Sequence, residues 1–342
     1  MGISGLNILL KKLVPKHLET KKLTYYKGSI IGIDTSIYLY KYIHAGLKNN
    51  SNENTYIINF INKIILYLNN GILPVFCFDG VPPCEKDHVI KKRQENKKKL
   101  KKRIEEAAKN GDNETVEKLK KQLICVSREQ KKNLYMLFDV INVPYFQAKG
   151  EAEELCAYLQ KKNITNYTLT EDTDSLVFGC KNVLKSTPDK NILKEYNLID
   201  ILYNLKISYN QFIDICILCG CDYCPSIYRL GPINSYNLIK ENGSIENCIE
   251  KISKKYTVPD DFNYIKAREL FTKNKNEEED YDIKIKSEYL LYNYSEEETI
   301  KFLTEMGFTQ KYSSIMSHKL KNAIDNYIFL SSEYTLQSSS KI

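Results

Sequence analysis

Three short apolar runs in this chain each end on an acid: Gly28 to Asp34 (GSIIGID), Leu73 to Asp79 (LPVFCFD) and Tyr167 to Asp172 (YTLTED). A run of this length, bounded by glycine or a turn, is the pattern of a buried strand. A fourth strand is expected at Asn182 to Lys185, and stretches of roughly 10 to 40 residues with helical composition separate the runs. Strands alternating with helices predict an α/β fold, a central and mostly parallel twisted sheet flanked by helices, whose ligands gather beyond the carboxyl ends of the strands. In the first three runs an acid stands at that end.

Composition narrows the classes. With 342 residues, 42% hydrophobic and 27% charged, the chain has material for one large core or two smaller ones, which excludes global disorder. No window approaches the ~18 uninterrupted apolar residues of a membrane span, and no signal segment or lipid anchor is written at either end. The chain therefore reads as soluble and intracellular, and its ten cysteines as reduced thiols. The net charge is +7, yet residues 86 to 132 hold 17 Lys and Arg against 8 Asp and Glu, so the basicity is local. A patch of this kind is the electrostatic footprint of a phosphate-backbone binder.

That basic stretch, Cys84 to Lys132, reads as a helical insertion broken at Asn110-Gly111-Asp112. It lacks a sustained heptad, which favours a two-helix cap or arch over a coiled coil. Helical composition over Ala152 to Lys161 precedes the third strand. Ser208 and Gln211 form a Ser-x-x-Gln capping box ahead of Phe212 to Cys219, which is apolar nearly all round and so buried. The turn Tyr223 to Pro232, a helix from about Ile233 to Glu241, the turn Asn242-Gly243 and a further helix make a helix-turn-helix array. The acidic run Glu277 to Asp280 reads as a surface loop, Ser295 with Glu298 caps one more helix, and the last dozen residues read as disordered.

Seven acids stand in or beside apolar contexts: Asp34, Asp79, Glu151, Glu153, Asp172, Asp174 and Asp222. An isolated buried carboxylate costs several kcal/mol or is neutralised, so acids converging at a sheet edge require cations. Hard oxygen ligands suit Mg²⁺ or Mn²⁺. In an extended segment, residues two apart face the same way, so Asp172 and Asp174 can serve one ion. On a regular helix that spacing diverges, which puts Glu151 before or within the first irregular turn after Gly150. Cys216-x-x-Cys219-x-Cys221-x-x-Cys224 has the look of a metal site, but one residue between the pairs is too few for the usual zinc geometry, and these read as small buried residues.

The opening Met-Gly-Ile-Ser-Gly-Leu, Ile33-Asp34-Thr-Ser, Val75-Phe-Cys-Phe-Asp79-Gly-Val-Pro-Pro, Gly150-Glu-Ala-Glu-Glu, Thr170-Glu-Asp-Thr-Asp174 and Gly220-Cys-Asp222-Tyr together resemble the flap endonuclease, or XPG-like, family of structure-specific 5′ nucleases. The likeness runs from residue 1 to about 255. It implies a nuclease domain split between 1–83 and 133–206, an arch at 84–132, a helix-two-turn-helix element at 207–272 that grips duplex DNA, and a helical extension with a disordered tail at 273–342. It places the seven metal carboxylates on the seven acids above, with Asp34, Asp79, Glu151 and Glu153 favouring one Mg²⁺ and Asp172, Asp174 and Asp222 the other. It places the basic pair that neutralises the phosphoryl oxygens on Lys86 and Arg93, seven residues and two helical turns apart. Tyr40 matches an aromatic that stacks on a terminal base, and Gly2 a residue that brings the amino end near the substrate.

The implied activity is Mg²⁺-dependent 5′ flap cleavage with 5′ to 3′ exonuclease action on branched or nicked DNA in replication or repair, by a monomer, in the nucleus of a eukaryotic cell. Three alternatives stay open: the sister exonuclease group acting on duplex ends and nicks, a DNA-junction binder without chemistry, and a ribonuclease of the related metal-dependent fold, since no residue visibly reads the 2′-hydroxyl. The duplex-gripping hairpin departs from the family pattern. Gly-Ile-Gly-Pro followed by a basic residue is replaced by Arg229-Leu230-Gly231-Pro232-Ile233, which loses one glycine and one cation while Arg229 brings a charge. A K⁺ on backbone carbonyls and the Ser226 hydroxyl is also implied there. No sliding-clamp motif is recognisable, since Gln310 and Gln337 lack the apolar and aromatic followers.

Overall fold

The structure, a computed structural model, describes residues 2–15, 19–48, 52–123, 125–273 and 294–339. Seven strands form one sheet: β1 (Thr20–Lys22), β2 (Ile30–Asp34), β3 (Leu73–Phe78), β4 (Tyr145–Gln147), β5 (Tyr167–Leu169), β6 (Asn182–Ser186) and β7 (Ile192–Asn197), in the spatial order β1-β7-β6-β5-β2-β3-β4. The four expected runs are β2, β3, β5 and β6, and β2 pairs in parallel with both β3 and β5. β7 runs antiparallel to β6, and β1 antiparallel to β7. β1 reads Thr-Lys-Lys, with no apolar alternation to announce it, because an edge strand needs only one partner and keeps lysine toward water.

The helices are α1 (Leu6–Leu13), α2 (Thr35–Lys48), α3 (Thr55–Asn69), α4 (Asp87–Lys109), α5 (Asn113–Lys120), α6 (Arg128–Val140), α7 (Ala152–Lys161) and the single turn α8 (Asp174–Val177). After β7 come α9 (Leu198–Leu205), α10 (Tyr209–Cys219), α11 (Pro232–Asn242), α12 (Ile245–Lys255), α13 (Tyr264–Thr272), α14 (Glu296–Glu305) and α15 (Gln310–Ser339). Side chains alternate across a strand, and in β3 this is visible directly. Cys77 faces a core built from α1, α7 and α10, whereas Phe76 and Phe78 face one built from α2, α3, α6, α14 and α15. In the second core Phe76 stacks on Phe138 with ring centroids 4.4 Å apart. The sheet is thus covered on both faces, and only its edges and its carboxyl-terminal rim are left for chemistry.

Local signals set the boundaries. Ser208 accepts from the Gln211 amide and Gln211 reaches back to the Ser208 amide, which completes the expected capping box of α10. Ser295 accepts from the Glu298 amide at the start of α14. In the basic insertion, α4 and α5 meet at Gly111, whose φ of +72° only glycine adopts without strain, and Asp112 caps α5 through the Thr115 amide. Two expectations are revised. Lys86 precedes α4 as its N-cap, at the end of a short 3₁₀ turn, instead of lying within the helix. Residues 331–339, within the last dozen that read as disordered, are helical, since α15 continues to Ser339, and 340–342 lie outside the described residues. Met316, Leu320, Ala323, Ile324 and Tyr327 anchor this helix in the second core, and after Gly307 no glycine or proline occurs to end it. The acidic run 277–280 lies outside the described residues. None of the described helices is long and apolar enough to cross a membrane.

Candidate active site

At the carboxyl-terminal rim of the sheet, Asp34 ends β2 and Asp79 follows β3, and a close backbone approach brings a third element to them. Gly80 donates to the Gly150 carbonyl at 2.8 Å and Val81 to the Lys149 carbonyl at 3.1 Å. A Cβ at position 80 would fall 1.9 Å from the Ala148 carbonyl oxygen, so glycine is a steric requirement there. This zipper sets Glu151, the residue before α7, beside Asp79, and Asp79 Oδ1 in turn accepts from the Ala152 amide at 3.0 Å. Glu151 has extended backbone, φ −99° and ψ 148°. That is how two glutamates only two residues apart reach one cleft, since Glu151 stands outside the helix on which Glu153 rides.

The cleft, of about 230 Å³, is lined by Asp34, Asp79, Glu151, Glu153, Asp172 and Asp222, together with Lys86 and Arg93. Asp174 sits behind it at the start of α8, its amide donating to Asp172 Oδ1 at 3.1 Å. Six of the seven acids and both basic residues singled out in the sequence therefore line one cleft, and the seventh, Asp174, is tied to it through Asp172. Asp34, Asp172 and Asp174 are almost wholly buried. Asp34 is held by the Thr170 hydroxyl at 2.9 Å and the Ser36 amide at 3.2 Å, whereas Asp174 Oδ1 is buried with no hydrogen-bond partner.

Burial, then repulsion from Asp79 and Asp172, pushes the Asp34 carboxyl up to about 8. Glu153 is driven well above the carboxylate range by burial and then by Asp34 and Asp79. Asp174 is raised likewise by burial and Asp172, against the opposing pull of Lys86. The site holds more negative charge than its own cations neutralise.

Lys86 is the cation most deeply engaged. Its ammonium donates to Glu151 Oε1 at 2.5 Å and lies 3.2 Å from Asp222 Oδ2, with Arg93 also 3.5 Å from that oxygen. Burial pulls the Lys86 ammonium down, but Glu151 and Asp222 outweigh it and the net shift is upward. The other oxygen of Glu151 accepts from the Tyr223 hydroxyl. Tyr223 was not singled out in the sequence, and one tyrosine among 26 gives no signal beyond its place next to Asp222. Among the described residues, no three His, Cys, Asp or Glu side chains yet converge on one point at ligand spacing. The carboxylates surround a shared space into which Lys86 projects.

The remaining expected site residues lie around this cleft or on the hairpin. Gly2, at φ +101°, passes so near Asp172 that a Cβ would lie 2.0 Å from its Oδ1, which brings the amino-terminal backbone into the site. Tyr40 is 45% exposed on α2, so its ring is no core residue. On the hairpin before α11, Arg229 is exposed and adopts φ +64°, the conformation a glycine would take without strain. Its guanidinium stands 5.1 Å from the exposed Tyr228 ring. Gly231 has φ −85° and ψ 168° and caps α11, so its backbone needs no glycine. Cys216, Cys219 and Cys224 are buried in the first core and Cys221 packs against it, all as free thiols.

The chain matches the XPG N-terminal domain over residues 1–100 and the XPG I-region over 142–222. It is 37% identical over 337 residues to flap endonuclease 1 of Entamoeba histolytica, which covers 94% of this chain and 88% of that one. The fold is similar to the catalytic core of Rad2 in complex with DNA substrate, with a TM-score of 0.69 at 21% identity over 93% of this chain and all of that one. It is also similar to the Holliday junction-resolving enzyme GEN1 in complex with product DNA, Mg²⁺ and Mn²⁺ ions, with a TM-score of 0.64 at 15% identity over 94% and 77% of the two chains.

Proposed function

The chain belongs to the flap endonuclease family of XPG-type nucleases, and from that membership we propose that it hydrolyses DNA phosphodiesters as a structure-specific 5′ flap endonuclease, with 5′ to 3′ exonuclease action on ends and nicks. The observation that carries this reading is the meeting of six carboxylates from five segments of the chain with Lys86 and Arg93 in one cleft, with Asp174 behind it and bonded to Asp172.

Two Mg²⁺ ions, or Mn²⁺ in their place, are the cofactors this donor set fits. The donors are hard oxygens, their charge exceeds that of the local cations, and Asp174 Oδ1 is buried without a partner. Asp34, Asp79, Glu151 and Glu153 would hold one ion and Asp172, Asp174 and Asp222 the other. When bound, such a pair supplies activation of the attacking water and stabilisation of the leaving oxygen.

The chain's own groups do the rest. Lys86, a compact charge, and Arg93, a planar fork, would neutralise the phosphoryl oxygens of the bond being cut. Tyr40 would stack on the terminal base, a contact worth about 1–3 kcal/mol. Gly2, having no side chain, would let the amino end pass close to Asp172 and come near the substrate. Arg229 and Gly231 would meet the duplex backbone, with K⁺ held by carbonyls near Ser226. We place the protein as a monomer acting on branched or nicked DNA, in the nucleus of a eukaryotic cell or in the cytoplasm for a virus that replicates there.

The test offers labelled 5′ flap, nicked, gapped and blunt duplexes to the protein with Mg²⁺. Fastest cutting of the flap, at a single position, is the expected result. Equal cutting of flap and blunt ends would favour the exonuclease group, and tight junction binding without product would favour a binder.

A further inference from the structure

Three aromatic rings meet beside the carboxylate cleft, and each comes from a different segment. Phe178 follows α8, the turn that carries Asp174, and its amide donates to the Asp174 carbonyl at 2.9 Å. Tyr223 sits next to Asp222. Phe271 is on α13, beyond residue 255, where the likeness of motifs ends. The Tyr223 and Phe271 rings have centroids 5.1 Å apart at 78°, Phe178 and Phe271 5.2 Å at 62°, and Phe178 and Tyr223 6.2 Å at 79°. All three pairs meet edge to face, the arrangement that aromatic quadrupoles favour. Tyr223 and Phe271 are buried in the first core, and Phe178 packs against it.

The helix that carries Phe271 is itself anchored. Three residues earlier, Arg268 bonds Asp214 of α10 through Nε at 2.8 Å and both carboxylate oxygens of Glu246 in α12. α13 is therefore a fixed support against which the Tyr223 ring rests.

Through Tyr223 that support reaches two groups of the cleft. The Tyr223 hydroxyl donates to Glu151 Oε2, Glu151 Oε1 accepts from Lys86, and Lys86 Nζ lies 5.3 Å from the centre of the Tyr223 ring. Glu151 precedes α7 on extended backbone, so no helical turn restricts its rotamers. A tyrosine hydroxyl is the part of the side chain farthest from the bonds about which it turns, so a small rotation of an unbraced ring displaces the bond to Glu151 most. We infer that Phe271 is a positioning residue for the nuclease site: by bracing Tyr223 it keeps Glu151 aimed into the cleft and the Lys86 ammonium over the ring. This rests on the nuclease reading above, and it gives α13 a part in the chemistry without any contact to the reacting atoms.

A double-mutant cycle of Phe271→Leu and Tyr223→Phe tests it. Each protein is read by single-turnover cleavage of a 5′ flap at saturating DNA and Mg²⁺, by equilibrium binding of the same DNA, and by Mn²⁺ binding without DNA in electron paramagnetic resonance. Tyr223→Phe keeps the ring and removes the hydroxyl, which as a neutral donor orients Glu151 without taking up its charge. It is expected to slow cleavage and weaken Mn²⁺ binding by about tenfold, the usual cost of losing a group that orients a metal ligand. Phe271→Leu should lower both by about threefold, with DNA affinity kept, and should add nothing in the Tyr223→Phe background because the bond it protects is already gone. Should Phe271→Leu fail to fold by thermal melting, Phe271→Met, a flexible gap-filler, takes its place, and Tyr223→Phe, which retains the packing, still decides whether the hydroxyl matters. Wild-type cleavage and Mn²⁺ binding by Tyr223→Phe would overturn the inference. Effects of the two substitutions that multiply would overturn it as well, by reducing Phe271 to packing. Cleavage that falls only as far as DNA affinity falls would assign α13 to DNA binding instead. A wild type that neither binds Mn²⁺ nor cuts flap DNA would sink the nuclease reading, and the positioning role with it.

Discussion

Lys86 Nζ lies 3.2 Å from Asp222 Oδ2, so the base of the basic arch is tied to the turn that follows α10, across the mouth of the carboxylate cleft. Glu151 shares the same ammonium. The position has two consequences. Lys86 stands where an incoming phosphate would need charge, and it competes for oxygens that divalent ions would use.

Replacing Lys86 with Ala should therefore slow single-turnover flap cleavage by at least about tenfold, roughly 1.4 kcal/mol of barrier. The same variant should bind Mn²⁺ more tightly than wild type in the absence of DNA, as read by calorimetry or by electron paramagnetic resonance of the free ion. An unchanged rate would relegate Lys86 to the surface, and unchanged Mn²⁺ binding would remove the competition.

At Gly80, an added methyl meets backbone oxygens of Ala148 and Lys149, at 1.9 and 2.7 Å, which cannot rotate away as a side chain would. Gly80→Ala should open the zipper between Asp79 and Glu151, destabilise the fold by about 1–3 kcal/mol, and lower flap cleavage at saturating Mg²⁺. Chemical denaturation with wild-type stability would mean that the two backbones separate freely.

Arg229 holds a positive φ that costs a non-glycine residue on the order of 1 kcal/mol. Arg229→Gly should accordingly raise the melting temperature while weakening duplex binding and lowering its salt slope by about one. Higher stability with unaltered DNA affinity would show that the strain brings no contact.

Acid pH probes the helix array. Arg268 forks onto both Glu246 oxygens, at 2.6 and 3.1 Å, and reaches Asp214 Oδ1 from Nε at 2.8 Å. These bonds hold the Glu246 carboxyl down to about 2. A folded value below the unfolded one makes the contribution complete above about pH 4.5 and lost as pH falls toward 2. The melting-temperature gap between wild type and Glu246→Gln should thus be present at pH 6 and narrow by pH 3. A gap that widens on acidification would contradict the pairing.

The carboxylates were legible because strands that end on acids are a local pattern, and a parallel sheet converts that pattern into a shared rim. The capping box of α10 and the Ser295 cap of α14 were legible for the same reason, each lying within four residues. What stayed hidden depends on distant partners. β1 and β7 are strands because they pair with each other and with β6, and their polar sequences, Thr-Lys-Lys and Ile-Leu-Lys-Glu-Tyr-Asn, carry little apolar pattern of their own. Tyr223 matters through one bond to Glu151, 72 residues away. The length of α15 depends on its packing against α3, which no motif announces.

The most direct test of the carboxylate cleft replaces Asp172 with Asn and follows cleavage of a labelled 5′ flap at saturating Mg²⁺, beside binding of the same DNA. Loss of cleavage, with binding kept, is the expected result. Cutting at the wild-type rate by the variant would contradict the account at its centre.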